Sequence, residues 1–305
     1  MTNPWIEAMR LRTLPVSVAG VLGGVAVALG AGYFRWLPSL LCLLFALGAQ
    51  ILSNFANEYF DYKNGIDRPG REGFRRGLAE GDLPPSAMKR AIILLLAADA
   101  VIGLSLVLWG GWWLVAVGAV IFIGAIAYSG GPWPLSHHGM GDIAVIIFYG
   151  LVPVCLTACL QFQQATGLTE LNASSVSIMW TALPTGLAVG LMGADVLIVN
   201  NYRDADDDRM NGKRTTVVIF GRPAMSAIYL IFWLAADILL CIQFARPFGN
   251  LETAAGLAIF VAPQTGLWLA LRSSRGARLN PLLRKTALLM LLLILACIGV
   301  ALLAR

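Results

Sequence analysis

The chain has 305 residues, of which 58% are hydrophobic and 13% charged, with a formal net charge of +5. Soluble domains carry about 25% charged residues, so this composition excludes a disordered chain, a nucleic-acid-binding arm and nearly every soluble enzyme, and leaves a polytopic membrane protein. In such a protein the sign of the net charge gains meaning only from where the charges fall.

Residues Met1 to Arg12 do not read as a cleavable leader, because they contain Pro4 and Glu7 and no short apolar run leads to a small-residue cleavage site. Spanning helices of about 20 mostly apolar residues are expected, in chain order, at 14–33, 38–61, 90–109, 112–129, 142–161, 179–201, 216–243, 253–271 and 286–304. The expected fold is all-α, a nine-helix transmembrane bundle, with residues 1–305 as a single domain. Gly110–Gly111, and Gly130–Gly131 with Pro132 and Pro134, break the apolar sequence between spans. The Gly20–Gly24 spacing suits close helix packing, inside the bundle or between chains. Cys42, Cys155, Cys159, Cys241 and Cys297 lie in apolar stretches without zinc-site or redox spacing, and read as small buried helix residues.

With the N-terminus in the cytoplasm, 19 of the 22 lysines and arginines fall on the cytoplasmic side, at 10–12, 63–90, 203–222 and 272–285. Arg35, Arg246 and Arg305 fall on the other. By the positive-inside rule the expected location is the cytoplasmic (inner) membrane, multi-pass, with the polar loops inside.

The acids follow the bases. Glu58, Asp61, Asp67, Glu72, Glu80 and Asp82 lie at or after the end of the second span, and Asp204, Asp206, Asp207 and Asp208 at the end of the sixth. Two acidic loops four helices apart on one face suggest two four-helix units plus a ninth helix. Asn54, Asn57 and Asp61 stand at offsets 0, 3 and 7, on one helical face, and Asp67 follows Gly65 in a loop that can curl back. Asn200, Asp204 and Asp208 stand at 0, 4 and 8, while Asp206 and Asp207 lie off that stripe.

Carboxylates at the edge of a bilayer cost at least a few kcal/mol, and several facing one another need cations. Carboxylate and amide oxygens suit Mg²⁺, which keeps some water and bridges to substrate phosphates. Lys63, Arg68, Arg71 and Arg76 flank the first cluster, and Arg203, Arg209, Lys213 and Arg214 the second. Such bases can clamp a diphosphate, and Mg²⁺ with guanidinium at a diphosphate describes a stabilised leaving group. Competing chemistries are poorly supported. The two histidines, His137 and His138, have no nucleophile at recognisable spacing, and the chain has neither a Gly-rich phosphate loop nor a GxSxG elbow. A divalent-cation transporter would need mid-span acids in a stripe, and Asp99, Asp195 and Asp237 form none, although Asp195 is a candidate to line a cavity.

The segments RLRTLPVSVAG, QILSNFANEYFDYKNGIDRPGREGFRRG, GMGDI and NNYRDADDDRMNGKRTTVVIFGR resemble the UbiA-type intramembrane aromatic prenyltransferases, whose pattern is two Asp-rich motifs on helices 2 and 6. Within that superfamily the stretch from Asp61 to Arg76 is most similar to the branch that prenylates 1,4-dihydroxy-2-naphthoate in menaquinone synthesis. The resemblance implies that Asn57, Asp61 and Asp67 hold one Mg²⁺, and that Asp204 and Asp208 hold a second, assisted by Asn200 or Asn201. It places Arg71, Arg76, Lys63 and Lys213 on the diphosphate, with Asn54 beside the substrate. Arg12 matches a basic residue ahead of Thr-Leu-Pro. Tyr128 matches a tyrosine suited to steadying an allylic cation, and Asp142 an acid after Gly-x-Gly. Glu58 departs from the family, which carries Asp there. His137 departs too, standing where relatives tend to carry an aromatic, often tyrosine. The implied reaction joins the tail of a polyprenyl diphosphate to dihydroxynaphthoate, with loss of CO₂ and diphosphate, giving demethylmenaquinol. Acceptors of the 4-hydroxybenzoate or homogentisate type are the alternative.

Overall fold

Proline and glycine set most of the helix ends. The computed structural model describes residues 3–70, 73–245, 256 and 258–303, and every regular element among them is helical. A short α1 (Pro4–Met9) meets α2 (Pro15–Gly30) at an elbow of 42°. Pro15 opens α2, where a missing N–H costs nothing. There follow α3 (Trp36–Lys63), α4 (Pro85–Gly110), α5 (Trp113–Ala127), α6 (Gly141–Thr166), α7 (Ala173–Met210), α8 (Thr216–Phe244), α9 (Val261–Ser273) and α10 (Asn280–Leu303). A π-helical stretch interrupts α6 at Ile146–Leu151, just ahead of Pro153.

Each expected span meets a helix among the described residues, though the start of the 253–271 segment lies largely outside them. By length and composition alone, six helices among the described residues can cross a bilayer, or seven if the α1–α2 elbow counts as one span. Within the described residues α5 has 15 residues and α9 has 13, against the ~20 of a straight span, and the sequence ahead of α9 lies largely outside them. Gly111, at φ +90°, starts α5 late, and the Gly130–Gly131 turn ends it early. Conversely α7 is longer than expected. Its 38 residues are capped by Asn172, whose side chain accepts the Ser175 N–H at 2.9 Å. At ~57 Å it outruns the hydrocarbon layer and carries the second acidic stripe on its last turns.

Helix contacts in the core rely on small residues. Gly150 of α6 faces Gly186 and Gly190 of α7 so closely that any Cβ there would collide with backbone. Gly20 and Gly24 of α2 press against the α6 backbone at Tyr149 and Val154, so their spacing serves the interior. On the outside, Leu94, Val101 and Leu108 of α4 form an exposed apolar stripe suited to lipid.

The four basic segments converge at one end of the bundle. Arg203 of α7 donates to Asn280 at the start of α10, Lys213 reaches Asp61 of α3, and Arg12 lies over Phe74 of the 64–84 loop. Both acidic motifs are therefore at the same end. Gly150→Val should lower the melting temperature of the detergent-solubilised protein by at least several degrees. Gly299→Ala, where a Cβ meets open space, should leave it unchanged.

Candidate active site

Asp61 sits on the last turn of α3 with 1% of its surface exposed. Its Oδ1 is 3.0 Å from His137 Nε2, and its Oδ2 accepts from Lys213 Nζ at 3.3 Å and Asn57 Nδ2 at 3.2 Å. Asn57 also donates to Ser129 at 2.6 Å and accepts from Arg10. The chain then curls back as expected. Gly65 adopts φ +71°, the Ile66 and Asp67 N–H groups return to the Asp61 carbonyl, and buried Asp67 meets Arg76 at 3.3 Å. The loop beyond is braced by Arg75, which donates twice to Asp82 and holds that carboxyl below the ordinary range.

The second motif is built on α7. Asn201, Asp204 and Asp208 are buried, and Arg203 forms two bonds to Asp204 at 2.6 and 2.7 Å and one to Asn200 at 2.8 Å. Asp206 lies off the site as expected, its exposed side chain paired with Arg222. Gly212, at φ +74°, lets the Lys213 N–H return to the Asp208 carbonyl, and the lysine side chain crosses to Asp61. Lys213 thus ties the two motifs together.

Between them lies a small polar cleft lined by Asn57, Arg76, Asn200, Asn201, Asp204, Asp208 and Lys213, with Arg10, Tyr128 and Asp142. Tyr128 also lines an apolar cavity of about 340 Å³ enclosed by α2 to α6, walled by Phe45, Leu104, Phe122, Phe148 and Leu160. One tyrosine therefore stands where charge gives way to hydrocarbon. Asp142 accepts from Thr216 at 2.6 Å, and its other oxygen is buried without a hydrogen bond.

Several expected site residues stand elsewhere. Arg12 does not line the cleft; it pairs with Glu7 at 2.6 Å and stacks on Phe74. Lys63 is exposed at the end of α3. Asn54 spends its amide on the Met9 carbonyl, tying the elbow to α3. Arg71 lies outside the described residues. Asp195 is fully buried and lines neither cavity. Glu58 is 1% exposed and accepts the Leu78 N–H at 3.1 Å, so its longer side chain anchors the loop.

Arg10, expected only as one of the cytoplasmic bases, stands at the site. Its left-handed backbone, φ 53° and ψ 49°, is the one positive φ on a non-glycine among the described residues. That conformation costs roughly 1–2 kcal/mol and turns the guanidinium onto Asn57. Its nearness to Arg12 was the one available signal.

The oxygen donors suit a hard cation. As the side chains lie, however, no group of three or more His, Cys, Asp or Glu among the described residues converges on a metal position. Three of the carboxylates already hold bases: Lys213 and His137 on Asp61, Arg76 on Asp67, Arg203 on Asp204. From its bond to Leu78, Glu58→Gln should keep activity within about threefold, because the amide oxygen still accepts, while Glu58→Ala should fall clearly lower. Steady-state rates in membranes check this.

Residues 17–294 match the UbiA prenyltransferase family. The chain is 34% identical over 298 residues to the 1,4-dihydroxy-2-naphthoate octaprenyltransferase of Mycobacterium tuberculosis, covering 97% of this chain and 95% of that one. It is 36% identical over 226 residues to the Escherichia coli enzyme of the same name, covering 72% and 69%. A UbiA homolog from Aeropyrum pernix K1 has the same fold, with a TM-score of 0.67 at 17% identity, covering 99% and 98%. One from Archaeoglobus fulgidus, bound to DMAPP and Mg²⁺, gives 0.56 at 17% identity, covering 97% and 99%. The chain belongs to the UbiA prenyltransferase family.

Proposed function

We propose that this protein transfers a polyprenyl group from an allylic diphosphate to 1,4-dihydroxy-2-naphthoate, giving demethylmenaquinol, CO₂ and diphosphate. Its relatives' named activity supports the acceptor. The observation that carries the chemistry is that the cleft between two acidic motifs and an apolar cavity share Tyr128 as a wall.

In this reading Arg76, Lys213 and Arg10 hold the diphosphate, and the tail lies in the apolar cavity with its first carbon beside Tyr128. Asn57, Asp61 and Asp67 would hold one Mg²⁺, and Asp204 and Asp208, with Asn200 or Asn201, a second. When bound, the metal supplies charge neutralisation for the departing diphosphate oxygens. Lys213 and Arg76 now sit on Asp61 and Asp67. Exchange of these bases from carboxylate to phosphate frees the acids as oxygen ligands. The carbon–oxygen bond to diphosphate breaks, and its electron pair leaves with the phosphate. The ring face of Tyr128 steadies the allylic cation, and the apolar walls keep out water that would quench it. The naphthoate ring carbon bearing the carboxylate forms the new bond. The bond to the carboxylate then breaks, CO₂ leaves, and its electrons restore the aromatic ring.

The basic end of the bundle is read as cytoplasmic by the positive-inside rule. The bundle is read as nine spans, two four-helix units plus one, with residues 1–305 as one domain in the cytoplasmic membrane.

Membranes containing the protein should be incubated with Mg²⁺, a C15 to C45 series of prenyl diphosphates, and dihydroxynaphthoate, 4-hydroxybenzoate or homogentisate. Prenylated, decarboxylated product is expected from dihydroxynaphthoate alone and should vanish with a chelator. Asp61→Asn and Asp208→Asn should each reduce turnover about a hundredfold or more, and Asp206→Asn only slightly. Full turnover by Asp61→Asn with Mg²⁺ present would refute the site.

A further inference from the structure

The 64–84 loop brings Arg76, paired with Asp67, to the cleft, so its seating decides whether a diphosphate is clamped. Part of that seating is internal or directed to α3: Gly70 N–H to Glu80 at 2.9 Å, Arg75 to Asp82, and Leu78 N–H to Glu58. Phe74, two residues before Arg76, carries the loop's contact to the other motif. The Arg12 guanidinium lies 3.6 Å from the centroid of its ring, and that of Arg203 lies 4.5 Å away. The second of these cations is the residue that grips Asp204 with two bonds, and it also holds Asn200 and Asn280. The first belongs to the turn before α2 and is balanced by Glu7.

We propose that Phe74 is a positioning residue for diphosphate binding, a ring that registers the Arg76 loop against Arg203 and Asp204 through two cation–π contacts. This rests on the prenyl-transfer reading above. Arg12 and Arg203 stand close enough to feel each other's charge. The negative face of an aromatic ring offsets that repulsion. An aliphatic side chain of similar size would fill the space without doing so. With the ring gone, the two cations separate, the loop loses its register on α7, and Arg76 no longer meets a phosphate held beside Asp204. The role implied for Arg12 at the substrate is thereby exercised through Phe74.

The test compares the wild type with Phe74→Leu, Phe74→Met and Phe74→Tyr as full-length protein in detergent. Two quantities are read: equilibrium binding of geranyl diphosphate with Mg²⁺, and kcat and KM in the naphthoate assay. Phe74→Leu and Phe74→Met should bind geranyl diphosphate about tenfold more weakly and raise its KM to match. Their kcat, naphthoate KM and melting temperature should change little. Phe74→Tyr, which keeps the ring face, should stay within about twofold of wild type on every count. Wild-type binding by the Leu or Met variant that folds would overturn the proposal. So would a Tyr variant as weak as those two, or a loss confined to kcat. The binding arm needs no acceptor. A wild type that binds geranyl diphosphate yet makes no naphthoate product refutes the acceptor reading and leaves the Phe74 comparison intact.

Discussion

The site depends on one buried ion pair. Asp61, almost without solvent contact at the end of α3, is held by Lys213 from the turn between α7 and α8, with His137 on its other oxygen. A carboxylate in that position cannot stand alone, since removing one partner of a buried pair leaves an uncompensated charge at a cost of about 3–5 kcal/mol. The requirement for a counter-charge draws the second motif to the first, and with it the 130–140 loop. The same logic recurs at Asp67 with Arg76 and at Asp204 with Arg203. The acids that would take a metal and the bases that would take a phosphate are stored against one another. In the proposed mechanism substrate binding is an exchange of partners, so the buried charge stays compensated throughout.

The apolar remainder of the chain complements this polar end. A cavity walled by aromatic and branched side chains opens beside Tyr128, and the outer helix faces present leucine and valine to lipid. A long prenyl tail is too apolar for water, and here it can remain in hydrocarbon while its charged head reaches the cleft. Close glycine contacts such as Gly150 on Gly190 hold α6 against α7, which fixes Asp142 relative to the second stripe.

Much of this was legible in the sequence because helical periodicity is strict. The offsets of Asn57 to Asp61 and of Asp204 to Asp208 placed each pair on one face, and Gly65 marked the loop that returns Asp67. What escaped depends on non-helical backbone or on partners distant in the chain. The left-handed turn at Arg10 has no sequence signature for a non-glycine residue. Arg12, expected beside the substrate, is instead held by Glu7 and Phe74, and Glu58, which departs from the family's Asp, binds the Leu78 N–H. The α5 helix is shorter than the expected 112–129 because the turns at Gly111 and at Gly130–Gly131 bound it.

The central claim, that one set of bases alternates between the acids and a diphosphate, is tested most directly by an experimental structure with geranyl thiodiphosphate and Mg²⁺. Lys213 Nζ should have left Asp61 for a phosphate oxygen, with Asp61 and Asp208 turned to metal. A diphosphate bound away from the cleft, or Lys213 still on Asp61 beside a bound diphosphate, would contradict the account.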